Sequence, residues 1–277
     1  MTDVLVVVGA GGMGEAIARR LGPGQHVLLG DLDQESLGRV ADSLRGDGYT
    51  VDTQEVDVSS RDSLAGLART ASGLGAVTQV AHTAGLSPEQ APIEAILRVD
   101  LLGVAYSIEE FAGVIASGGS GVVISSMAAA LAASRFPGDM VEALARTPSD
   151  ALLTLPFLQA DAIPGPGAAY AMAKRGCQLR VQAASGAWGE RGARLNSISP
   201  GVIATPMGQQ ELAGDSGESV RAMVRAPGTK RLGTPADIAN AAAFLLGPES
   251  AFVTGSDLLV DGGAVAASSR SARATGP

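Results

Sequence analysis

Tyrosine and lysine are scarce in this 277-residue chain, at three and two residues respectively. One of each falls in GAAYAMAK, residues 167–174, as Tyr170 and Lys174. Random placement would produce a Tyr-x-x-x-Lys spacing roughly 2% of the time, so the pairing carries information. On a helix, positions four apart share a face. An ammonium beside a phenol favours the phenolate and draws its pKa down from about 10 toward working pH, as proton transfer requires. The bland alternative is a tyrosine packed inward with its lysine in solvent.

A second pattern opens the chain. Gly9-Ala10-Gly11-Gly12-Met13-Gly14 follows VLVVV and leads into GEAIARRL. Gly9, Gly11 and Gly14 fit G-x-G-x-x-G, in which glycines permit a tight turn and bring backbone N–H groups to a pyrophosphate at a helix N-terminus. Asp31 ends the next apolar run, 22 positions on (31 − 9). A carboxylate there accepts from an adenosine ribose diol and repels a 2′-phosphate. No arginine or lysine lies in the glycine loop or just after Asp31, so the pattern favours NAD over NADP. Asp33 is expected to cap the helix that follows.

The elements that must hold these residues alternate in type. VLVVV (4–8), HVLLGD (26–31), VDTQEVD (51–57), TQVAH (78–82), GVVISS (121–126), ARLNSIS (193–199) and DLLVD (257–261) predict seven strands. Helical periodicity covers 13–21, 34–45, 61–73, 91–117, 168–189 and 235–246, the last begun by Thr234, Pro235 and Asp237. Continuous apolar strands between helices indicate one α/β domain, a doubly wound Rossmann-type fold with a seven-stranded parallel sheet over residues 1–263. Two segments break the alternation: 127–167, with short helix candidates at 139–146 and 149–160, and 203–230, which lacks a sustained period. Both are expected to loop out, the second as a substrate lid. The tail 264–277 is expected to be disordered.

Composition narrows the function. A net charge of −8 argues against nucleic acid as a partner. One cysteine, Cys177, and two histidines, His26 and His82, cannot build an ordinary metal cage, so no metal is expected. Cys177 is expected to be an inert helix cysteine and His82 a packed strand-end residue. With no basic leader and no apolar run long enough to span a bilayer, the cytoplasm is the default location and no membrane association is expected.

Taken with HTAG (82–85), VDLLG (99–103), ISSMA (124–128), NSISPGVIATP (196–206) and VDGG (260–263), the chain resembles the short-chain dehydrogenase/reductase family from residue 3 to about 263. AYAMAK, WGERGARLNSISPG and the long segment before the tyrosine look most similar to the 3α-hydroxysteroid dehydrogenase/carbonyl reductase branch. The resemblance implies an NAD(H)-dependent oxidoreductase of a small-molecule secondary alcohol or ketone. It makes Tyr170 the acid/base, Lys174 the residue that holds the cofactor ribose and lowers the tyrosine pKa, and Ser126 the donor to the substrate oxygen. The backbone around Met13 and Gly14 would lie near the cofactor, Asp57 and Val58 beside the adenine, and Ala84 and Gly85 beside the ribose. Pro200, Gly201, Ile203 and Thr205 would border the nicotinamide.

Ser125 is the better candidate for a purely turn-capping serine. A homo-oligomer, dimer or tetramer, is also implied, built partly on the long helix and the tyrosine helix. Asp100 departs from the family, which commonly has an asparagine there to hold a relay water. Beside Lys174 its carboxylate could pair directly with the ammonium, which motivates an alternative: a catalytically impaired NAD-binding or sensor protein. The glycine loop is also one residue shorter than the family's usual T-G-x-x-x-G-x-G. The rim, rich in Ala, Leu, Met and Pro with few charges, suits an apolar alicyclic or steroid-like substrate.

Overall fold

The computed structural model describes residues 2–214, 217–225 and 228–268. Its strands are β1 (Asp3–Val8), β2 (His26–Asp31), β3 (Thr50–Glu55), β4 (Ala76–His82), β5 (Ile115–Ile124), β6 (Arg194–Pro200) and β7 (Asp257–Val260). They form one parallel sheet in the order β3-β2-β1-β4-β5-β6-β7, as the alternation of elements predicts. The order reverses direction between β1 and β4. In sheets of this kind the crevice beyond the strands' carboxyl ends at such a switch point receives ligands. Val8 lies level with Gly30 and His82, and His82 with Val123, so the chain leaves four neighbouring strands at one rim.

The helices are α1 (Gly12–Leu21), α2 (Gln34–Gly46), α3 (Arg61–Leu74), α4 (Ile93–Ile96), α5 (Val104–Ala112), α6 (Met127–Ala132), α7 (Gly138–Arg146) and α8 (Ser149–Leu152). After them come α9 (Pro166–Glu190), α10 (Pro206–Ala213), α11 (Gly217–Arg225) and α12 (Pro235–Leu246). One apolar core joins α1, α2 and α12 to one face of the sheet, and a second joins α3, α5 and α9 to the other. Each fully buried Leu, Ile or Val on these faces contributes about 1.5–3 kcal/mol relative to exposure. Helix starts follow chemistry legible in the sequence. The Asp33 side chain accepts from the N–H groups of Glu35 and Ser36, and Thr234 forms a reciprocal capping box with Asp237.

Four expectations need correction. The helix expected over 91–117 is α4, a π-helical turn over Leu97–Gly103, and α5; the segment from Ile115 already belongs to β5. Residues 149–160 hold no continuous helix but the four-residue α8, a 3₁₀ turn at Pro156–Leu158 and the start of another at Ala160–Ala162, because Pro156 interrupts the apolar pattern. The segment 203–230 contains α10 and α11, the first capped by Thr205, whose hydroxyl accepts from Gly208 N. Residues 264–268 form a helical turn with Ala264 buried and are not disordered; 269–277 lie outside the described residues.

The insert is part of the core. Leu144, Leu152, Leu158 and Ile163 are buried with α9 and α5. A polar seam fastens it: Arg61 pairs with Glu109, Glu110 and Asp150 and lies 4.5 Å over the Tyr106 ring, while Arg180 donates to Thr147 O. Helix α9 is therefore covered on both sides, by the sheet and by the insert.

Candidate active site

The glycine loop turns where β1 leaves the sheet. Gly9 has φ +100°, the left-handed half of the map where side chains strain, and donates its N–H to Gly30 O at 2.7 Å. A Cβ on Gly14 would stand 1.9 Å from Gly9 O, so only glycine lets α1 start this close to the turn. Gly11 faces open space, with no heavy atom within 4 Å of an added Cβ. That opening, in front of the first N–H groups of a ten-residue helix, fits a pyrophosphate. Asp31 Oδ2 accepts from Ala10 N at 2.6 Å and Oδ1 from Asp33 N at 3.0 Å, which fixes the carboxylate at the end of β2. Each oxygen keeps a lone pair for a diol.

A cavity of about 430 Å³ runs along this rim. All of the glycine-loop positions Gly9, Gly11, Gly12, Met13 and Gly14 line it, as do Asp31, Asp57, Val58, Ala84, Gly85 and Thr205. Asp57 is held by its own turn, accepting from Ser59 N at 2.8 Å. Arg39 and Ser36, on α2, also line the cavity; the Arg39 side chain is 64% exposed and 3.8 Å from Glu15.

A second cavity of about 530 Å³ continues from the first past Met13 and Gly85. Ser126, Tyr170 and Lys174 meet there, with Pro200, Gly201, Ile203 and Thr205 on the adjoining wall. Ser126 caps α6, its Oγ accepting from Ala128 N at 3.2 Å, which leaves its hydroxyl proton free to donate. The turn-capping role expected of Ser125 thus falls to Ser126, whereas Ser125 Oγ donates to Lys174 O at 2.8 Å and pins α9 to the end of β5. Lys174 Nζ lies 5.5 Å from the Tyr170 ring centroid and 3.3 Å from Ile124 O.

Asp100 stands behind Lys174, fully buried, rather than in either cavity. Its Oδ2 is 3.3 Å from Lys174 Nζ, its Oδ1 accepts from Leu86 N at 2.7 Å, and its main-chain oxygen accepts from Cys177 Sγ at 2.9 Å. The carbonyl belongs to the π-helical turn, where the changed register frees a backbone acceptor for such a partner.

The charges oppose one another. Burial pulls Lys174 down, but Asp100 and then Tyr170 more than offset it, so the ammonium keeps its proton above the ordinary lysine range. Burial pushes Asp100 up, against the pull of Lys174. Tyr170 is also pushed up, first by burial and then by Asp100 and Glu211; Lys174 and the Ser126 hydroxyl act downward without prevailing. The lysine therefore acts in the expected direction, but the tyrosine does not end below its ordinary value, because burial outweighs the lysine and the carboxylate behind it opposes part of its field. His82 is buried with neither ring nitrogen hydrogen-bonded, and burial followed by Lys174 lowers it to about 3. It is a neutral, packed strand-end residue, and burial pushes the Cys177 thiol up to about 12.

Two cavity residues carry no signal in the sequence motifs. Glu89, in the loop after β4, and Glu211, on α10, both line the second cavity, so its wall is less free of charge than composition suggests. The Thr205-Pro206 pair that starts α10 repeats the cap signal of Thr234-Pro235 and could have revealed the helix, but a carboxylate on it reads as solvated until the fold brings it over the cavity. Among the described residues no group of three His, Cys, Asp or Glu is placed to hold a metal, and no helix is long and apolar enough to cross a membrane.

Comparison with known proteins agrees with this geometry. Residues 3–137 match the family model described as short chain dehydrogenase, and residues 139–265 the model described as enoyl-(acyl carrier protein) reductase. The chain is 46% identical to the short-chain dehydrogenase/reductase bsc3 of Alternaria brassicicola, over 97% of each protein. It is 29% identical to a 3-alpha-hydroxysteroid dehydrogenase/carbonyl reductase of Comamonas testosteroni, over 94% of this chain and 96% of that one. The fold superposes on levodione reductase with a TM-score of 0.76 at 22% identity, covering 96% of this chain and 98% of that one. The chain belongs to the short-chain dehydrogenase/reductase family, oxidoreductases that act on alcohols and ketones with a nicotinamide cofactor.

Proposed function

We propose that this chain interconverts a secondary alcohol and its ketone with NAD(H), and that its substrate is apolar over most of its length, alicyclic or steroid-like. One observation carries the reading: the fixed Asp31 carboxylate lines the cavity that adjoins Ser126, Tyr170 and Lys174. In that reading Gly9 to Gly14 and the start of α1 hold the pyrophosphate. Asp31 takes the adenosine ribose diol, with Asp57 and Val58 at the adenine and Ala84 and Gly85 toward the second ribose. Pro200, Gly201, Ile203 and Thr205 border the nicotinamide. The bound cofactor supplies or accepts the hydride.

The chain's own groups handle the proton. Ser126 donates a hydrogen bond to the substrate oxygen and polarises it. Tyr170 gives its proton to that oxygen in reduction and removes it in oxidation, with the Lys174 ammonium stabilising the phenolate. A 3-alpha-hydroxysteroid dehydrogenase among the relatives and the apolar side chains of Leu131, Met207, Val220 and Met223 support the substrate class. Residence in the cytoplasm and a homo-oligomer complete the reading. The insert packs on α9 and reaches Glu109 of α5, so the association would use other surfaces, such as the edge near β7 where Phe244 and Leu259 are exposed.

The second reading, an NAD-binding protein with impaired turnover, is favoured by the Asp100–Lys174 pair and the upward push on Tyr170. Titration with NADH and NADPH, followed by nicotinamide fluorescence, and a screen of secondary alcohols with NAD separate the possibilities. NADH is expected to bind at least about tenfold more tightly, since a 2′-phosphate against Asp31 costs well over 1.4 kcal/mol. Preferential NADPH binding, with Arg39 as its partner, would overturn the role of Asp31. Tight NADH binding without turnover of any alcohol would favour the impaired reading.

A further inference from the structure

We infer that Gln178 is a positioning residue for the transfer step: its amide sets how far the Tyr170 and Lys174 side of α9 stands from the wall that borders the nicotinamide. The inference rests on the proposed reading of Pro200 and Gly201 as that wall. Tyr170, Lys174 and Gln178 recur every four residues along one side of α9. The first two line the second cavity, and Gln178, one turn further along, is buried against β6 and β7.

Every polar atom of that amide is committed. Gln178 Nε2 donates to Ser199 Oγ at 2.9 Å and to Asp257 Oδ2 at 3.0 Å, while Gln178 Oε1 accepts from Arg175 Nη1 at 2.8 Å. Chemistry fixes the orientation, since a carboxylate only accepts and the reversed amide would set oxygen against oxygen. Asp257 Oδ1 also accepts from Ser197 Oγ at 2.6 Å and Ser199 Oγ at 2.9 Å, so the carboxylate clamps β6 to β7. Ser199 directly precedes Pro200, and Gly201 N donates to Val260 O at 2.9 Å. A Cβ on Gly201 would stand 2.7 Å from Asp261 Cα, which places the wall directly on the end of β7. One amide thus ties the helix of the proton-transfer pair to both strands that carry the wall. Its reach matters because a misplacement of roughly 1 Å between reacting groups costs on the order of a hundredfold in rate.

Gln178→Met keeps the length of the side chain and donates nothing. Dissociation constants for NADH, followed by nicotinamide fluorescence, and for ADP-ribose, followed by calorimetry, separate the nicotinamide end of the cofactor from the rest. In Gln178→Met the affinity for NADH is expected to fall by at least about fivefold relative to that for ADP-ribose. With NAD and a secondary alcohol, kcat is expected to fall by about tenfold or more. Ser199→Ala is expected to move both readouts in the same direction and decides the matter should Gln178→Met fold poorly. Equal changes for the two ligands would reduce the network to a purely structural one and overturn the inference, as would turnover near the wild-type rate. A wild-type protein that binds neither NADH nor ADP-ribose would instead refute the proposed function itself. If the wild type binds NADH but turns over no alcohol, the ratio of the two affinities decides alone.

Discussion

At Asp100 two oxygens are hydrogen-bonded, Oδ1 by Leu86 N and the main-chain oxygen by Cys177, while Oδ2 has only its ion pair with Lys174 at 3.3 Å. An asparagine would keep the Leu86 bond through its own carbonyl oxygen while removing the charge that opposes Lys174. Oxidation of an alcohol needs Tyr170 as phenolate, so its rate rises as pH climbs through the tyrosine pKa. Asp100 raises that pKa, and its neutralisation therefore moves the rising limb to lower pH. In Asp100→Asn the limb of kcat/KM for alcohol oxidation is expected at lower pH with activity retained or increased. An unmoved limb with a large loss of rate would show that the carboxylate has a role of its own. The departure at Asp100 was visible in VDLLG, because one residue type replaced another inside a motif. The bond from Cys177 was not, since 77 positions separate the partners and a lone helix cysteine carries no signal for it.

Among the elements, the strands were the most legible, β1 and β2 above all, because their central residues are buried on both faces and apolar, whereas the edge strand β3 is largely exposed and polar. The interrupted helix at 93–112 was not, since the apolar period runs unbroken through the π-helical turn and nothing local marks the change of register. The early start of β5 was hidden by Ser117, Gly118 and Gly119, which leave the pairing between Ile115 and Ser120. The insert could be seen as extra length, yet its place in the core depends on Leu144 and Leu152 meeting α9, a contact no local pattern encodes. Leu144 is fully buried, so Leu144→Ala is expected to destabilise the whole domain by about 2–5 kcal/mol in chemical denaturation. A loss below about 0.5 kcal/mol would mean that the insert is an appendage.

The whole molecule gathers residues from nearly its full length onto one rim: Gly9 and Asp31 from the first strands, Gly85 and Ser126 from the middle, Tyr170 from α9 and Thr205 from the segment after β6. Parallel strands make this possible, because every carboxyl end lies on the same side of the sheet. The motif set was sufficient to predict that gathering, with all but Asp100 of the expected site residues lining one of two adjoining cavities. Glu89 and Glu211, which also line the second cavity, lay outside it. The central claim, that Tyr170 moves the proton while the glycine loop and Asp31 hold the cofactor, is tested most directly by Tyr170→Phe. With a secondary alcohol and NAD, turnover followed by nicotinamide absorbance is expected to fall by at least about a thousandfold in this variant, while the NADH dissociation constant changes less than about threefold. Near-wild-type turnover in Tyr170→Phe would contradict the account.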